Sequence, residues 1–167
     1  SEVGLPCFLY GPSSSLAPAR SLPELRRHAF GSICPDIGPQ TLHSRAGAVC
    51  VGARPILVAY NLWLESSVSL EATRAMARAV RSPEVRALGL DVGGRRQLSM
   101  NLIEPTVMGP AEVYDFVAHL APVSGTELVG LMPAAVLATI PRQRWAQLDV
   151  AADRTIEARL EAASADR

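Results

Sequence analysis

Two adjacent glycines, Gly93 and Gly94, stand between two segments that read as strands, residues 85–92 and 95–103. A two-residue loop of this composition closes an antiparallel hairpin, because glycine takes the positive-φ conformations of a tight turn without steric cost. The rest of the chain must therefore supply a sheet that accepts this hairpin. Upstream, residues 55–64 (PILVAYNLWL) form a strong strand run. Ser69 then offers a helix cap, and Leu70, Thr73, Met76, Ala77 and Val80 repeat with helical spacing to about Arg81. Downstream, Gly109-Pro110 opens a second helix to Leu120, with Val113, Phe116, Val117 and Leu120 on one face. Residues 127–131 read as a last short strand, and Pro133 starts a helix at 134–140.

The order from residue 55 to 131 is strand, helix, strand, strand, helix, strand. In this order two helices pack on one face of an antiparallel sheet, so the expected class is α/β in the α+β sense, a ferredoxin-like βαββαβ sandwich. Three less regular pieces precede it. Residues 5–10 read as a lone strand, ending in Gly11-Pro12 and the serine run Ser13, Ser14 and Ser15. A lone strand needs neighbours for its edges, either in the later sheet or on other polypeptide. Ser21-Leu22-Pro23-Glu24 is a capping box for a helix to about Ala29. A long irregular stretch covers 31–47, and residues 48–51 form a further short strand run. The expected organisation is thus 1–47, then 48–140 as the sheet domain, then 141–167 as a peripheral helical tail. In the tail, Ile156 and Leu160 share one side of a helix.

Composition narrows the chemistry. All 16 basic residues are arginine, so a Schiff-base lysine and a lysine-tipped phosphate loop are both excluded. The 16 acidic residues bring the formal net charge to zero, which argues against a nucleic-acid partner. The longest apolar run is far shorter than the roughly 20 residues of a membrane span, and no membrane partner is expected. Cys7, Cys34 and Cys50 are odd in number and widely spaced. No metal site is expected from them, and a reduced, cytoplasmic chain is the default reading.

The 31–47 stretch is the best place for function, since loops this long are uncommon in compact domains. Gly38 and Pro39 set a sharp bend, Gln40, Thr41 and Leu42 follow, and His43, Ser44, Arg45, Ala46 and Gly47 bring polar and small residues together. Small residues there let backbone N–H groups approach a ligand. The alternative is a structural connection stiffened by proline. His43 can bind or transfer a proton, or be a solvated loop histidine. His28 suits the C-terminal end of its helix, and His119 is read as structural. Arg54 can hold a carboxylate or close an internal ion pair. Asn61 and Asn101 are the only asparagines, each inside a strand run where asparagine is disfavoured, so each needs a ligand or a local hydrogen bond. Glu127 is an acid candidate or an arginine's partner.

Taken together, several segments resemble the glutamate formimidoyltransferase family, specifically its C-terminal half with the end of the N-terminal subdomain. The matching segments are LPCFLYG at 5–11, SLPELRR at 21–27, PDIGP at 35–39, HSRAG at 43–47, GARPILVAYNLWL at 52–64, QLSMNL at 97–102 and ELVGLMP at 127–133. The resemblance implies two α/β subdomains around a folate cleft. It implies transfer of a formimino group from N-formimino-glutamate to tetrahydrofolate as co-substrate. It assigns residues 38–47 to the folate site, with Arg54 and Asn61 in support. The family's catalytic histidine lies in a segment that nothing in this chain matches, so no residue here is assigned as catalytic. Residues 5–10 would then be the last strand of the N-terminal subdomain, completed by a separate N-terminal half or by a second copy of the chain. The family commonly has proline and a small residue where Ser44 and Arg45 stand here. A degenerate, non-catalytic binding module on the same scaffold is the alternative, and an unrelated small-molecule domain of the same topology is a third reading. On the folate-loop reading, Gly38→Val is expected to weaken folate binding without unfolding the chain.

Overall fold

In the computed structural model, residues 4–14 and 20–165 are described; Ser15 of the serine run lies outside them. The chain forms two compact units, residues 1–55 and 56–167.

In the second unit, strands β3 (Val58–Leu64), β4 (Val85–Val92), β5 (Arg95–Leu102) and β6 (Val123–Val129) form one antiparallel sheet in the order β4-β5-β3-β6. Helix α2 (Leu70–Val80) joins β3 to β4, and α3 (Pro110–Ala118) joins β5 to β6. This is the expected ferredoxin-like order, with both crossovers made by helices. Gly93 and Gly94 have φ of 59° and 82°, as the tight turn between β4 and β5 requires. Ser69 caps α2 by accepting from the Ala72 N–H at 3.1 Å, and the Glu112 carboxylate accepts from the Gly109 N–H at the start of α3 at 3.0 Å.

Alternation along β3 builds the core: Val58, Tyr60, Leu62 and Leu64 are buried, whereas Ala59, Asn61 and Trp63 are half-buried on the other face. Thr73, Met76, Ala77 and Val80 of α2 and Val113 and Val117 of α3 pack on the buried side. The last strand starts earlier than its apolar run suggests, at Val123, and stops at Val129. Gly130, at φ 84°, turns the chain out of the sheet.

Residues 141–150 depart from the expected peripheral tail. Leu148 and Val150 are buried, and the Tyr60 hydroxyl donates to the Leu148 carbonyl at 2.8 Å. Asp149 accepts from the Leu128 N–H at 2.9 Å and from Arg154 at 2.9 Å, while Arg154 also donates to the Leu128 carbonyl. This segment therefore occupies the free edge of β6, satisfying backbone groups that a bare edge would leave open. Only α5 (Ile156–Ala165) matches a peripheral helix, with Leu160 exposed. Ahead of both, α4 (Ala134–Ala138) buries Val136 and Leu137.

In the first unit, β1 (Cys7–Tyr10) pairs in parallel with β2 (Val49–Gly52), in register from Cys7↔Val49 to Tyr10↔Gly52. The lone strand thus finds its neighbour at residues 49–52, not in the four-stranded sheet, and residues 48–55 lie in this unit. Helix α1 (Leu22–His28) begins at the expected capping box: Ser21 accepts from the Glu24 N–H at 3.3 Å, and Glu24 accepts from the Ser21 N–H at 3.4 Å. Leu25 of α1 and Phe8 of β1 are fully buried, and Phe30 meets Phe8 edge-to-face at 5.0 Å.

Candidate functional site

The long loop is anchored before it reaches its candidate residues. The Asp36 carboxylate accepts from the Leu9 N–H at 2.8 Å and pairs with the Arg20 guanidinium. Arg20 is only 9% exposed, so this arginine is an internal clamp. The Cys7 N–H donates to the Ile37 carbonyl at 2.8 Å, laying the loop along β1.

Gly38 follows at φ 85°, and a Cβ built there would lie 2.5 Å from the Leu5 carbonyl oxygen. The expectation that valine at 38 spares the fold is therefore corrected: the position requires glycine for conformation and for space. Gln40 donates to the Pro35 carbonyl at 3.4 Å, and Pro39, Thr41 and Leu42 are exposed.

Residues 43–47 close on themselves. The His43 N–H donates to the Gly47 carbonyl at 3.1 Å, and the Gly47 N–H to the His43 carbonyl at 3.0 Å. The His43 Nδ1 accepts from the Arg45 N–H at 3.2 Å and the Ala46 N–H at 3.0 Å. A ring nitrogen that accepts carries no hydrogen, so the ring hydrogen sits on Nε2. The imidazole thus holds the turn from within, and Ser44, Arg45 and Ala46 form its exposed tip. Among the described residues the Arg45 and Arg54 guanidinium groups have no side-chain partner, so both charges are available to an anion.

In the second unit, the sheet face turned away from α2 and α3 carries a group of polar side chains flanked by the exposed apolar residues Leu88, Leu90 and Val129. Asn61 on β3 lies between Ser99 of β5 and Glu127 of β6, and its Nδ2 donates to the Glu127 carboxylate at 3.0 Å. Glu127 is therefore an amide's acceptor, not an arginine's partner. Asn101 pairs in register with Ala59 on one side and Arg86 on the other, and both Asn101 and Arg86 are exposed. Gln97 opposes Trp63, which carries the Arg95 guanidinium over its ring at 4.2 Å. The two asparagines and Glu127 each stand out singly in the sequence; the structure brings Asn61 to Glu127 through the β3–β6 register and leaves Asn101 apart, beside Ala59 and Arg86, while Ser99 and Arg86 carry no local signal. This face offers hydrogen-bond donors and acceptors beside one carboxylate.

Among the described residues no group of three His, Cys, Asp or Glu side chains is placed to hold a metal ion. Nor is any helix there long and apolar enough to cross a membrane.

No protein-family model matches the chain. Individual proteins do. The chain is 32% identical over 161 residues to a pig (Sus scrofa) protein named formimidoyltransferase-cyclodeaminase, covering 81% of this chain and 30% of that protein. It is 29% identical over 157 residues to the glutamate formimidoyltransferase of Streptococcus pyogenes, covering 81% of this chain and 52% of that protein. With the glutamate formimidoyltransferase of Thermoplasma acidophilum it shares 27% over 164 residues, covering 84% and 54% respectively. The chain thus spans about a third to about a half of the length of these curated relatives. These likenesses run through the loop unit and the sheet unit together, and on them the chain belongs to the formimidoyltransferase family.

Proposed function

We propose that the chain is a folate-binding part of a formimidoyltransferase. The reaction would carry a formimino group from N-formimino-glutamate to a nitrogen of tetrahydrofolate. One C–N bond forms to the folate, the C–N bond to glutamate breaks, and glutamate leaves with the transferred proton. In this reading the sheet unit corresponds to the family's C-terminal subdomain, and the β1–β2 unit to the end of its N-terminal subdomain. The observation that carries the proposal is the similarity to proteins named for this transfer across four-fifths of the chain.

The geometry supports particular roles. Glu127, with Asn61 beside it, suits the N–H and carbonyl edge of a pterin-like ring, because a carboxylate accepts two N–H bonds side by side. Taken by itself, the loop unit presents the backbone of the 43–47 turn and the Arg45 charge, a combination suited to a carboxylate. Arg54 is a second cation of the same unit. His43 is not assigned as the base that shuttles the proton, since its Nδ1 is held within its own turn. That step falls to the family's catalytic histidine, which belongs to a segment unlike any in this chain, so the chain by itself binds without completing transfer. A reducing, cytoplasmic setting belongs to the same reading.

The test is calorimetric titration of the full chain with a stable reduced-folate analogue, alongside a formimino-transfer assay with and without a relative's N-terminal half. Binding is expected, weakened about tenfold by Asn61→Ala or Glu127→Gln through lost hydrogen bonds to the ligand. Transfer is expected only with the added half. Absence of analogue binding in both preparations would overturn the folate reading.

A further inference from the structure

A second site is built on the opposite side of the sheet, where α2 meets the edge strand β4. Gly89 sits inside β4, where glycine weakens a strand and marks a close approach. A Cβ there would lie 2.7 Å from both N and Cα of Arg74, so α2 crosses β4 with its backbone nearly touching it. The close crossing leaves a notch of about 260 Å³ lined by Arg74, Ala77, Arg78, Arg81, Leu88 and Gly89.

Half of that lining is arginine. Arg74, Arg78 and Arg81 follow each other at helical spacing, so their side chains share one face. None of the three forms an ion pair with a carboxylate among the described residues. Glu71 precedes Arg74 by three residues and still does not pair with it. Arg81 spends its Nε–H on the Ala87 carbonyl at 2.8 Å, which fixes the guanidinium at the rim and leaves its outer fork unengaged. Like charges at this spacing disfavour the helix they sit on. The helix dipole offsets that for Arg78 and Arg81 near the C-terminal end, but not for Arg74, a turn and a half earlier. Three unneutralised forks around one notch are an arrangement that an incoming anion stabilises.

We propose that this notch binds an oxyanion group carrying two or more negative charges, as on a phosphate ester or an oligocarboxylate. Its volume lies just under the usual range for small-molecule pockets, so it accepts a compact charged group and leaves the remainder of a larger ligand outside. Paired N–H donors of a guanidinium match the oxygens of either chemistry. The notch is distinct from the polar face, which lies on the other side of the sheet, and does not depend on the folate reading.

The experiment titrates the full chain, at low ionic strength, with pyrophosphate and separately with citrate. It follows the Gly89 amide and the arginine Nε–H resonances by NMR. Shifts at Gly89 and at Arg74, Arg78 and Arg81 are expected. Arg78→Gln should weaken binding about tenfold, and the Arg74→Gln/Arg78→Gln pair about a hundredfold. Glutamine keeps the helical propensity of these exposed positions, so the variants are expected to fold. Arg159→Gln, on exposed α5, removes the same charge elsewhere and should change little. A response to pyrophosphate alone identifies a phosphate ester, and a response to citrate alone an oligocarboxylate. The proposal is overturned if neither probe moves Gly89, or if Arg159→Gln weakens binding as much as Arg78→Gln.

Discussion

Replacing Gly38 by alanine tests whether the start of the candidate loop is held by the fold or serves the ligand. The perturbation has two parts. At φ 85° an L-residue pays for left-handed backbone, about 1–2 kcal/mol. The new Cβ also meets the Leu5 carbonyl oxygen at 2.5 Å. That obstacle is backbone, so relief requires moving β1 or the loop, at about 1–2 kcal/mol by analogy with overpacked sites. Together these give about 2–4 kcal/mol. The displacement falls beside Ile37, whose carbonyl accepts from the Cys7 N–H, so the loss should appear at Cys7. With Cys34 and Cys50 changed to serine, Cys7 is the single thiol and is half-buried in β1. Its reaction with an aromatic disulfide reagent then reports opening of this unit. The free-energy change converts to about 30- to 1,000-fold faster labelling, up to the rate of an open thiol. Gly47→Ala provides the contrast: φ is 71° but nothing lies within 4 Å of the added Cβ, so only the conformational part applies. Unchanged Cys7 labelling in Gly38→Ala, with a loss of reduced-folate affinity, would refute the packing argument and return Gly38 to the ligand.

Three other outcomes follow from the geometry. Burial raises the Tyr60 phenol above its ordinary value of 10.0. Its contribution to stability is therefore complete below about pH 10 and is lost as pH rises toward the folded pKa, because the unfolded state ionises first. Tyr60→Phe should lessen the alkaline fall in unfolding free energy and cost about 1–2 kcal/mol at neutral pH, where the Leu148 carbonyl loses its donor. Asp115 is held below the usual carboxylate range by the hydrogen bonds of Arg144, at 2.7 and 2.9 Å. That contribution is present above the unfolded carboxylate pKa and disappears as pH falls through the depressed value. Urea midpoints between about pH 2 and pH 5 should accordingly fall less steeply in Arg144→Ala than in the parent chain. Arg45→Ala should leave stability within about 0.5 kcal/mol while weakening the reduced-folate analogue by about 1–3 kcal/mol. Equal affinity by calorimetry would make Arg45 a solvated charge.

Features with a local cause were legible in the sequence, and features made by distant contacts were not. The Gly93-Gly94 turn, the Ser21 and Ser69 caps and the period of α2 each depend on residues within a turn of one another, and each stands where its pattern indicated. The β1–β2 pairing joins Cys7 to Val49, and no period within either four-residue strand records that choice. Asn61 and Glu127 are separated by 66 positions, although both stood out as polar residues in apolar runs. Residues 141–150 misled for another reason. Leu148 and Val150 flank Asp149, whose φ of 52° breaks any regular element, so two buried side chains sit in a segment with neither helical nor strand repeat. Arg20 resembled every other arginine in sequence until Asp36, 16 positions on, reached it.

The parallel pairing of β1 with β2 also sets an order of assembly. Bringing Cys7 to Val49 closes a loop of about 40 residues, whose entropy alone costs about 3 kcal/mol, while the β4–β5 hairpin closes over two glycines. The hairpin can form within microseconds, and its neighbours in the sheet are delivered by short helical crossovers. The loop unit, with few strands to share the ordering entropy, is then the late-forming and early-opening part of the molecule. A substrate that rests on the 38–47 loop would act as a fastener for that region, slowing its opening far more than that of the four-stranded sheet.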